Sequence, residues 1–325
     1  MLSILSSPSS PSSPSRATWR ASRSGAPAPL DDANTMCGRV SSTLRAADVE
    51  RATGVRARLV RDDDYAADRD AAADAFDAHS ACPGARLFTM VRRRCDGAGA
   101  TDDDDDATWR DAMAIQRMTW GIYRGARPRD ESMRARATYE RAYNARGETL
   151  KELALFRSAR RCATLANGFF EWRDESIGGG KTIKQPYYVT RADGEPLVIA
   201  SVYVDEIASG SGSGKRAYET TMCTTSTTAL EWLHYRMPVL LTSDEDIKRW
   251  CLTLDGDDGW ERCIKPCEDG YLVWHPVTTK VNRADYRASD AVKPTKRAAE
   301  QNVGSIAALF AAAAPPAKKQ KHSTT

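Results

Sequence analysis

Apolar runs bounded by glycine, serine or proline dominate the middle of the chain and predict β-strands. Four such runs are rich in β-branched and aromatic residues: 162–172 (CATLANGFFEW), 184–190 (KQPYYVT), 196–204 (PLVIASVYV) and 218–225 (YETTMCTT). Runs of this composition between turn residues are typical of strands. A Gly/Ser loop at 208–214 separates the last two runs. Short strands that follow one another closely favour an antiparallel sheet.

Helical patterning is limited to a few segments. It predicts helices in the Ala/Arg-rich stretch before Tyr143, over residues 148–157, and from Asp244 in DEDIKRWCL. Because short strands outnumber these helices, the sequence predicts an α+β fold. We expect a single domain with a curved, mainly antiparallel, barrel-like sheet and flanking helices.

Composition divides the chain into three parts. Residues 1–36 are rich in Ser, Pro and Ala and contain no acidic residue before Asp31, so this leader is expected to be disordered. The globular domain is predicted over 37–292, with an acidic surface insert, TDDDDD, at 101–106. A low-complexity basic tail, 293–325, is expected to be disordered.

The charge balance and the remaining composition exclude several classes of protein. With 47 Lys and Arg against 44 Asp and Glu, the net charge of +3 predicts that any DNA-binding groove is local. No stretch approaches the roughly 18 apolar residues that a membrane span requires, so no membrane partner is expected. The eight cysteines match no zinc-ligand spacing and are expected to be reduced thiols. The sequence therefore predicts neither a metal nor a cofactor.

Four short blocks combine a reactive or polar residue with glycine, proline or aromatic neighbours: MCGRV (36–40), YNARGETL (143–150), CATLANGFFEWR (162–173) and LHYRMPVLL (233–241). Each block alone has an ordinary structural explanation. Cys37 is compatible with a buried thiol, and Asn144 with a residue that caps the next helix. Glu171 is compatible with an outward-facing strand position, and His234 with a structural histidine.

Taken together, the order of the blocks resembles the SOS response-associated peptidase (SRAP) family, the abasic-site processing proteins. MTWGIY at 118–123 and WHPVTTKVN, which ends at Asn282, are similar to two further segments of that family. The resemblance covers about residues 36–292. It implies an SRAP-like domain that forms a covalent crosslink to abasic sites in single-stranded DNA as part of the DNA damage response. The family name also implies an autoproteolytic peptidase (hydrolase) activity, and strand cleavage would make the reaction lyase-like.

The resemblance assigns the crosslink to Cys37 at the N-terminus, after removal of Met36. A free α-amine has a pKa near 8, so a useful fraction is neutral and nucleophilic at physiological pH. The amine would form a Schiff base with the sugar aldehyde, and the thiol would then close a thiazolidine ring. The resemblance makes Glu171 a general acid/base and His234 an assistant in proton transfer. It makes Asn144 a residue that positions the reacting groups.

The resemblance also suggests DNA-binding residues. Arg39 and Arg146 are expected to clamp phosphates, since a guanidinium binds phosphate oxygens in a bidentate manner. Trp120 is expected either to stack on a base beside the lesion or to be a buried core residue. The sequence leaves these two alternatives for Trp120 open.

The position of MCGRV raises a question about the start of the mature protein, because Cys37 has no free amine while residues 1–36 are attached. Three routes would expose it: translation from Met36, which we favour, removal of the leader by a transit peptidase, or self-cleavage before Cys37. If the leader stays, the alternative function is a non-covalent single-stranded DNA-binding module. A second alternative is a thiol peptidase that uses Cys37 and His234.

The tail suggests further partners. GSIAALF (304–310) resembles a sliding-clamp (PCNA) interacting peptide in which Ile306, Leu309 and Phe310 make the apolar contacts. The basic PAKKQKH near the end favours nuclear import, whereas the leader would indicate a chloroplast or mitochondrion if it is a transit peptide. We expect a monomer that resides in the nucleus.

Overall fold

The computed structural model describes residues 38–55, 78–93, 109–123, 141–207, 216–253 and 259–295. The chain divides into two units, Met1–Thr35 and Met36–Thr325, and every described residue belongs to the second. The acidic insert and the clamp-like peptide lie outside the described residues.

The described residues form mostly strands. The strands are β1 (Val40–Ser42), β2 (Ala78–Ala81), β3 (Arg86–Arg92), β4 (Met113–Trp120), β5 (Ile122–Tyr123), β6 (Arg141–Ala142), β7 (Asn144–Arg146), β8 (Arg160–Ala166), β9 (Gly168–Ser176), β10 (Thr182–Arg191), β11 (Leu197–Ile207), β12 (Arg216–Ser226), β13 (Arg236–Pro238) and β14 (Leu272–Pro276). The α-helices are α1 (Ala46–Thr53), α2 (Ala154–Arg157) and α3 (Asp244–Leu252). Short 3₁₀ helices cover Trp109–Ala112, Gly147–Thr149, Gly259–Cys263, Thr279–Asn282 and Ser289–Val292.

The larger sheet closes on itself. Its strands are ordered β11-β8-β3-β4-β12, and β11 also pairs with β12 through registers such as Val202 with Thr221. Two pairings, β12 with β4 and β12 with β7, are parallel, and the others in this sheet are antiparallel. The prediction of an α+β fold with a curved, mainly antiparallel, barrel-like sheet is confirmed.

A second, five-stranded sheet has the order β14-β10-β9-β1-β2 and is antiparallel throughout. The chain passes from the first sheet to the second at Asn167, which separates β8 from β9. The Asn167 side-chain oxygen accepts hydrogen bonds from the Thr43 amide (2.8 Å) and hydroxyl (3.1 Å). The run at 162–172, expected to be extended, is therefore two strands that belong to different sheets.

Gly168 is required where β9 begins, because neighbouring groups come very close to its Cα. A Cβ at this position would lie 2.5 Å from the Val189 carbonyl oxygen and 2.6 Å from the Tyr188 ring. Real Cβ atoms do not approach other atoms so closely, so a larger residue would displace β9 from β10. The first residue of the GFFEW motif is thus explained by packing.

The helix predicted from Asp244 is present as α3, and its sequence explains why. The Ser243 hydroxyl accepts a hydrogen bond from the Asp246 amide (3.1 Å), which caps the first turn. Trp250 lies near the other end of α3 and is buried. Its indole N–H donates to the carbonyls of Cys162 (2.9 Å) and Ser201 (3.1 Å). These bonds fasten α3 to the larger sheet.

Two other helix predictions were less accurate. Residues 148–157 form a 3₁₀ turn and the four-residue α2 instead of one helix. Of the stretch before Tyr143, the described part, Arg141–Ala142, is strand β6, and the rest lies outside the described residues. The extended conformation of Leu153 (φ −79°, ψ 121°) interrupts the first of these segments.

Candidate functional site

Glu171 lies in β9 and is buried, with only 4% of its surface exposed. Its partner in β10 is Tyr187, and Phe169, two residues earlier, pairs with Val40 of β1. Residues that pair across strands point to the same face of a sheet, as do residues two apart along a strand. Glu171 therefore faces the same apolar cluster as Phe169, which excludes the outward-facing alternative. A carboxyl group in such a place carries a desolvation cost that a purely structural strand position would avoid.

The segment that follows Cys37 runs beside Glu171. The Phe170 amide donates to the Arg39 carbonyl (3.0 Å), which continues the β1–β9 register. This contact lies directly next to Glu171 in β9 and two residues after Cys37 in the chain; Gly38 is the first described residue. Cys37 itself lies outside the described residues.

Asn144 and Arg146 lie in β7, which pairs in parallel with β12. Asn144 is partly buried, whereas Arg146, two residues further, is exposed. The backbone in front of Asn144 is held tightly, since the Tyr143 carbonyl accepts from the Trp120 indole N–H (2.8 Å) and the Met222 amide (3.2 Å). Arg146 is therefore accessible to solvent, and its contact with a phosphate stays a prediction.

His234 precedes β13 and is half-buried. Its Nδ1 lies 3.0 Å from the Arg236 amide, from which it accepts in one tautomer, and 3.3 Å from the Arg236 carbonyl, to which it donates in the other. Burial is the main cause that lowers the pKa of His234, and the charge of Arg236 adds to this effect. Since its pKa lies below the ordinary value of 6.5, the imidazole is mainly neutral at pH 7.

Arg236 and Glu148 connect two of the sequence blocks, and sequence reasoning missed both. The Arg236 guanidinium donates to the Glu148 carboxylate (2.8 Å), the Thr224 carbonyl (2.7 Å) and the Thr224 hydroxyl (3.1 Å). Burial is the largest single effect and opposes ionisation of Glu148, but the hydrogen bond and charge of Arg236 and two backbone hydrogen bonds together outweigh it, so the pKa of Glu148 is lowered. A Glu in NARGE and an Arg in HYRMP were the only signals for this pair in the sequence.

One apolar cluster brings the four blocks together. Val40, Phe169 and Leu233 are all part of it, and Tyr143 packs against it. Val40 lies three residues after Cys37, and Phe169 lies two residues before Glu171. Leu233 directly precedes His234, and Tyr143 directly precedes Asn144. Since the blocks are separated by up to about 200 residues in the chain, their meeting at one cluster is a property of the fold.

The placement of Arg39 contradicts the expectation of a phosphate clamp. Its side chain is buried, and Nη1 donates to the Ser80 hydroxyl (2.9 Å) and to the carbonyls of Val281 (2.9 Å) and Arg283 (3.2 Å). The guanidinium also lies over the Trp172 ring, 5.8 Å from its centroid. Arg39 therefore anchors the segment after Cys37 to the chain beyond β14.

Trp120 is a core residue, which decides between the two alternatives that the sequence left open. None of its surface is exposed, and its ring packs edge-on against Tyr143 at a centroid distance of 6.1 Å. A fully buried ring cannot stack on a DNA base. Its contribution is to hold the backbone that leads into Asn144.

Within the described ranges, no group of three or more His, Cys, Asp or Glu residues could hold a metal ion. The cysteines of these ranges are free thiols: Cys82, Cys162, Cys223, Cys251, Cys263 and Cys267. In the part of the chain that the structure describes, no helix is long and apolar enough to cross a membrane.

Two solved structures share the fold of this chain. A protein from Bacteroides thetaiotaomicron superimposes with a TM-score of 0.57 at 19% identity, covering 80% of this chain and all of that protein. A protein from Bordetella bronchiseptica superimposes with a TM-score of 0.52 at 20% identity, covering 74% of this chain and all of that protein. At these identities the likeness establishes a shared fold alone.

The sequence profile of the SOS response associated peptidase (SRAP) family matches residues 36–284. The chain belongs to this family, and the matched region begins at the Met36 of MCGRV.

Named relatives agree with this assignment. The chain is 30% identical over 166 residues to the abasic site processing protein HMCES of Xenopus tropicalis (43% of this chain, 46% of that protein). It is 31% identical over 195 residues to the abasic site processing protein YMR114C of Saccharomyces cerevisiae (57% and 48%). It is 29% identical over 160 residues to the abasic site processing protein YedK of Escherichia coli (46% and 66%). The first two matches span about half the length of those relatives.

Proposed function

We propose that this protein is an abasic-site sensor that forms a covalent thiazolidine crosslink with abasic sites in single-stranded DNA through Cys37. Family membership and relatives named abasic site processing proteins support a role at such sites. The observation that carries the proposal is the buried Glu171, whose neighbour Phe170 donates its amide proton to the carbonyl of Arg39, two residues after Cys37. A carboxyl group there is suited to proton transfer at the reacting terminus.

The proposed reaction uses the two nucleophiles of an N-terminal cysteine. The Cys37 amine adds to the C1′ aldehyde of the opened sugar, and loss of water from the resulting carbinolamine gives the imine. The thiol then adds across the C=N bond, with sulfur bonding to carbon and the proton going to nitrogen. The net reaction forms one thiazolidine and releases one water molecule.

Each of the neighbouring side chains is assigned to one step of this reaction according to its burial and charge. Glu171 would protonate the departing hydroxyl of the carbinolamine and accept a proton from the attacking amine. His234, whose pKa is lowered by burial, would assist proton transfer at an oxygen of the sugar. Asn144 would hold the reacting groups in place, and the exposed Arg146 would bind a flanking phosphate.

The test compares the chain starting at Met1 with the chain starting at Met36, each mixed with single-stranded DNA that contains one abasic site. On a denaturing gel we expect a covalent shift for the Met36 form, because only removal of the leader and Met36 exposes the Cys37 amine. Cys37→Ser should abolish the shift and leave non-covalent binding. Glu171→Gln should slow crosslinking by about 10²-fold or more, the usual range for a general acid/base.

The outcomes separate this proposal from its alternatives. Salt-sensitive DNA binding with no covalent shift in any form would indicate a non-covalent binding module instead. Crosslinking by the Met1 form, accompanied by release of residues 1–36 in the absence of any other protease, would add the autoproteolytic activity implied by the family name. Retention of the leader on crosslinked protein would refute the thiazolidine chemistry.

The sliding-clamp and nuclear predictions concern residues outside the described ranges and are proposed on sequence alone. A peptide spanning 298–315 should bind the clamp in calorimetry, with Phe310→Ala abolishing the binding. Absence of heat with the unmodified peptide would reject this partner.

A further inference from the structure

Burial of Trp120 leaves the expected base-stacking residue unassigned. Within the described residues, the exposed large hydrophobic side chains are Leu153, Ile177 and Tyr235. Only Tyr235 is aromatic, and it is 45% exposed. It also lies directly after His234, in one of the four blocks that meet at the site.

The Tyr235 ring is already arranged as a stacking surface. It lies nearly parallel to the His234 imidazole, with ring centroids 4.6 Å apart and an interplanar angle of 23°. One face of the phenol is therefore covered by His234, while almost half of the side chain is accessible to solvent. A planar group that packs on the exposed part of the ring would continue the stack outward from the site.

The backbone around Tyr235 is fixed by hydrogen bonds on both sides. The Tyr235 carbonyl accepts from the Thr227 amide (3.1 Å), and the next amide, that of Arg236, is bonded to His234 Nδ1 (3.0 Å). The Arg236 side chain is held in turn by Thr224 and Glu148. A ring on such a backbone loses little conformational freedom on binding, which favours affinity.

The exposed Arg146 lies in β7, two strands away from β13, the strand that begins directly after Tyr235. Thr224 of β12 pairs with Arg146 of β7 on one side and with Pro238 of β13 on the other. Since neighbouring strands are about 4.8 Å apart, β7 and β13 are separated by about 10 Å. An aromatic platform combined with a basic residue for the backbone is the usual means of binding single-stranded nucleic acid without sequence preference.

We propose that Tyr235 stacks on the nucleobase next to the abasic position and thereby places the abasic sugar at His234. The inference rests on the proposed function, in that it takes single-stranded DNA with an abasic site as the ligand. It assigns to Tyr235 the role that the sequence gave to Trp120.

The experiment uses the Met36 form and a single strand that carries a tetrahydrofuran abasic analogue, which lacks the aldehyde and cannot be crosslinked. A 2-aminopurine base is placed at each position flanking the analogue, because its fluorescence is quenched by stacking. With the unmodified protein we expect quenching at one flanking position. Tyr235→Ala should abolish this quenching and weaken binding by about 5- to 100-fold, the range for loss of one base–aromatic stack.

Two further variants make the result specific. Tyr235→Phe keeps the ring and should keep both quenching and affinity. Ile177→Ala removes another exposed side chain, 58% accessible and in the turn between β9 and β10, and should change neither. Melting temperatures of all variants should match, since Tyr235 and Ile177 are not part of the core.

Unchanged quenching and affinity in Tyr235→Ala, with binding by the unmodified protein intact, would overturn this inference and leave the proposed function standing. Failure of the unmodified protein to bind the strand would overturn the proposed function and this inference with it. Because no covalent step is involved, a defect confined to crosslinking would affect neither readout.

Discussion

Replacing Arg39 by methionine distinguishes an anchoring arginine from a phosphate-binding one. The substitution keeps most of the side-chain volume and removes the donors to Ser80, Val281 and Arg283. It also removes the contact of the guanidinium with Trp172. Of these groups, Ser80 and Val281 would lose this partner in a buried place, whereas Arg283 is exposed and Trp172 is half-buried.

The size of the effect follows from these contacts. A hydrogen bond from a charged donor contributes about 1.5–3 kcal/mol, but bringing a guanidinium out of water offsets part of this sum. The opposing contribution is visible in the pKa of Arg39, which burial lowers. We therefore expect a loss of about 2–4 kcal/mol in the free energy of unfolding. For a domain of this size that corresponds to a fall of roughly 4–16 °C in melting temperature.

The assay combines thermal unfolding with the salt dependence of single-stranded DNA binding, and Arg146→Met is the matched control. Arg146 is exposed, so its replacement should leave the melting temperature unchanged. As a phosphate contact it should reduce the slope of log affinity against log salt by roughly 0.7, the value for one phosphate on a single strand. Arg39→Met should show the reverse pattern: lower stability and an unchanged slope.

The reasoning would be refuted if Arg39→Met unfolded at the same temperature as the unmodified protein while the salt slope decreased. That result would mean that the Arg39 side chain leaves its buried partners to bind DNA. A fall in both quantities would likewise contradict a purely anchoring role.

Three further outcomes are expected. Trp120→Phe removes the indole donor to the Tyr143 carbonyl and leaves space in the core; chemical denaturation should show a loss of about 2–4 kcal/mol, and full stability would contradict a core role. Gly168→Ala should destabilise the protein by at least about 1–3 kcal/mol, because its Cβ would meet the Val189 carbonyl; a folded variant of equal stability would show that β9 can shift. His234 should titrate in NMR below its ordinary pKa of 6.5, because burial opposes its charged form. With a folded pKa below the unfolded one, its contribution to stability is complete above pH 6.5 and is lost as the pH falls towards the folded pKa. A midpoint at or above 6.5 would contradict the observed environment.

Strands and the capped helix could be predicted because their signals are local. The β-branched run of β11 and the Ser243 cap of α3 depend on residues that lie close together in the chain. The break at Asn167 could not be predicted in this way, since it depends on Thr43, more than a hundred residues earlier. The single helix predicted over residues 148–157 is likewise not formed, because the extended backbone of Leu153 separates a 3₁₀ turn from α2.

For the candidate site, the four blocks were visible in the sequence because they combine reactive residues with glycine, proline and aromatic neighbours. The blocks alone sufficed to suggest the family, which the profile match over residues 36–284 then established. In contrast, the sequence does not show which of Arg39, Arg146 and Trp120 lie at the surface, where they could bind DNA. Whether such a side chain faces solvent depends on elements brought together from distant parts of the chain.

The amino-acid sequence by itself determined the class of fold, the positions of most strands and the residue types available for chemistry, because these depend on composition and on short-range spacing. Only the tertiary structure decided which of those residues can act. It buried Glu171 in the strand that pairs with the segment after Cys37, made Arg39 and Trp120 supports for the backbone, and left Tyr235 exposed next to His234. Burial decides these roles because a side chain surrounded by protein must satisfy its polar groups there, whereas an exposed one remains available to a ligand.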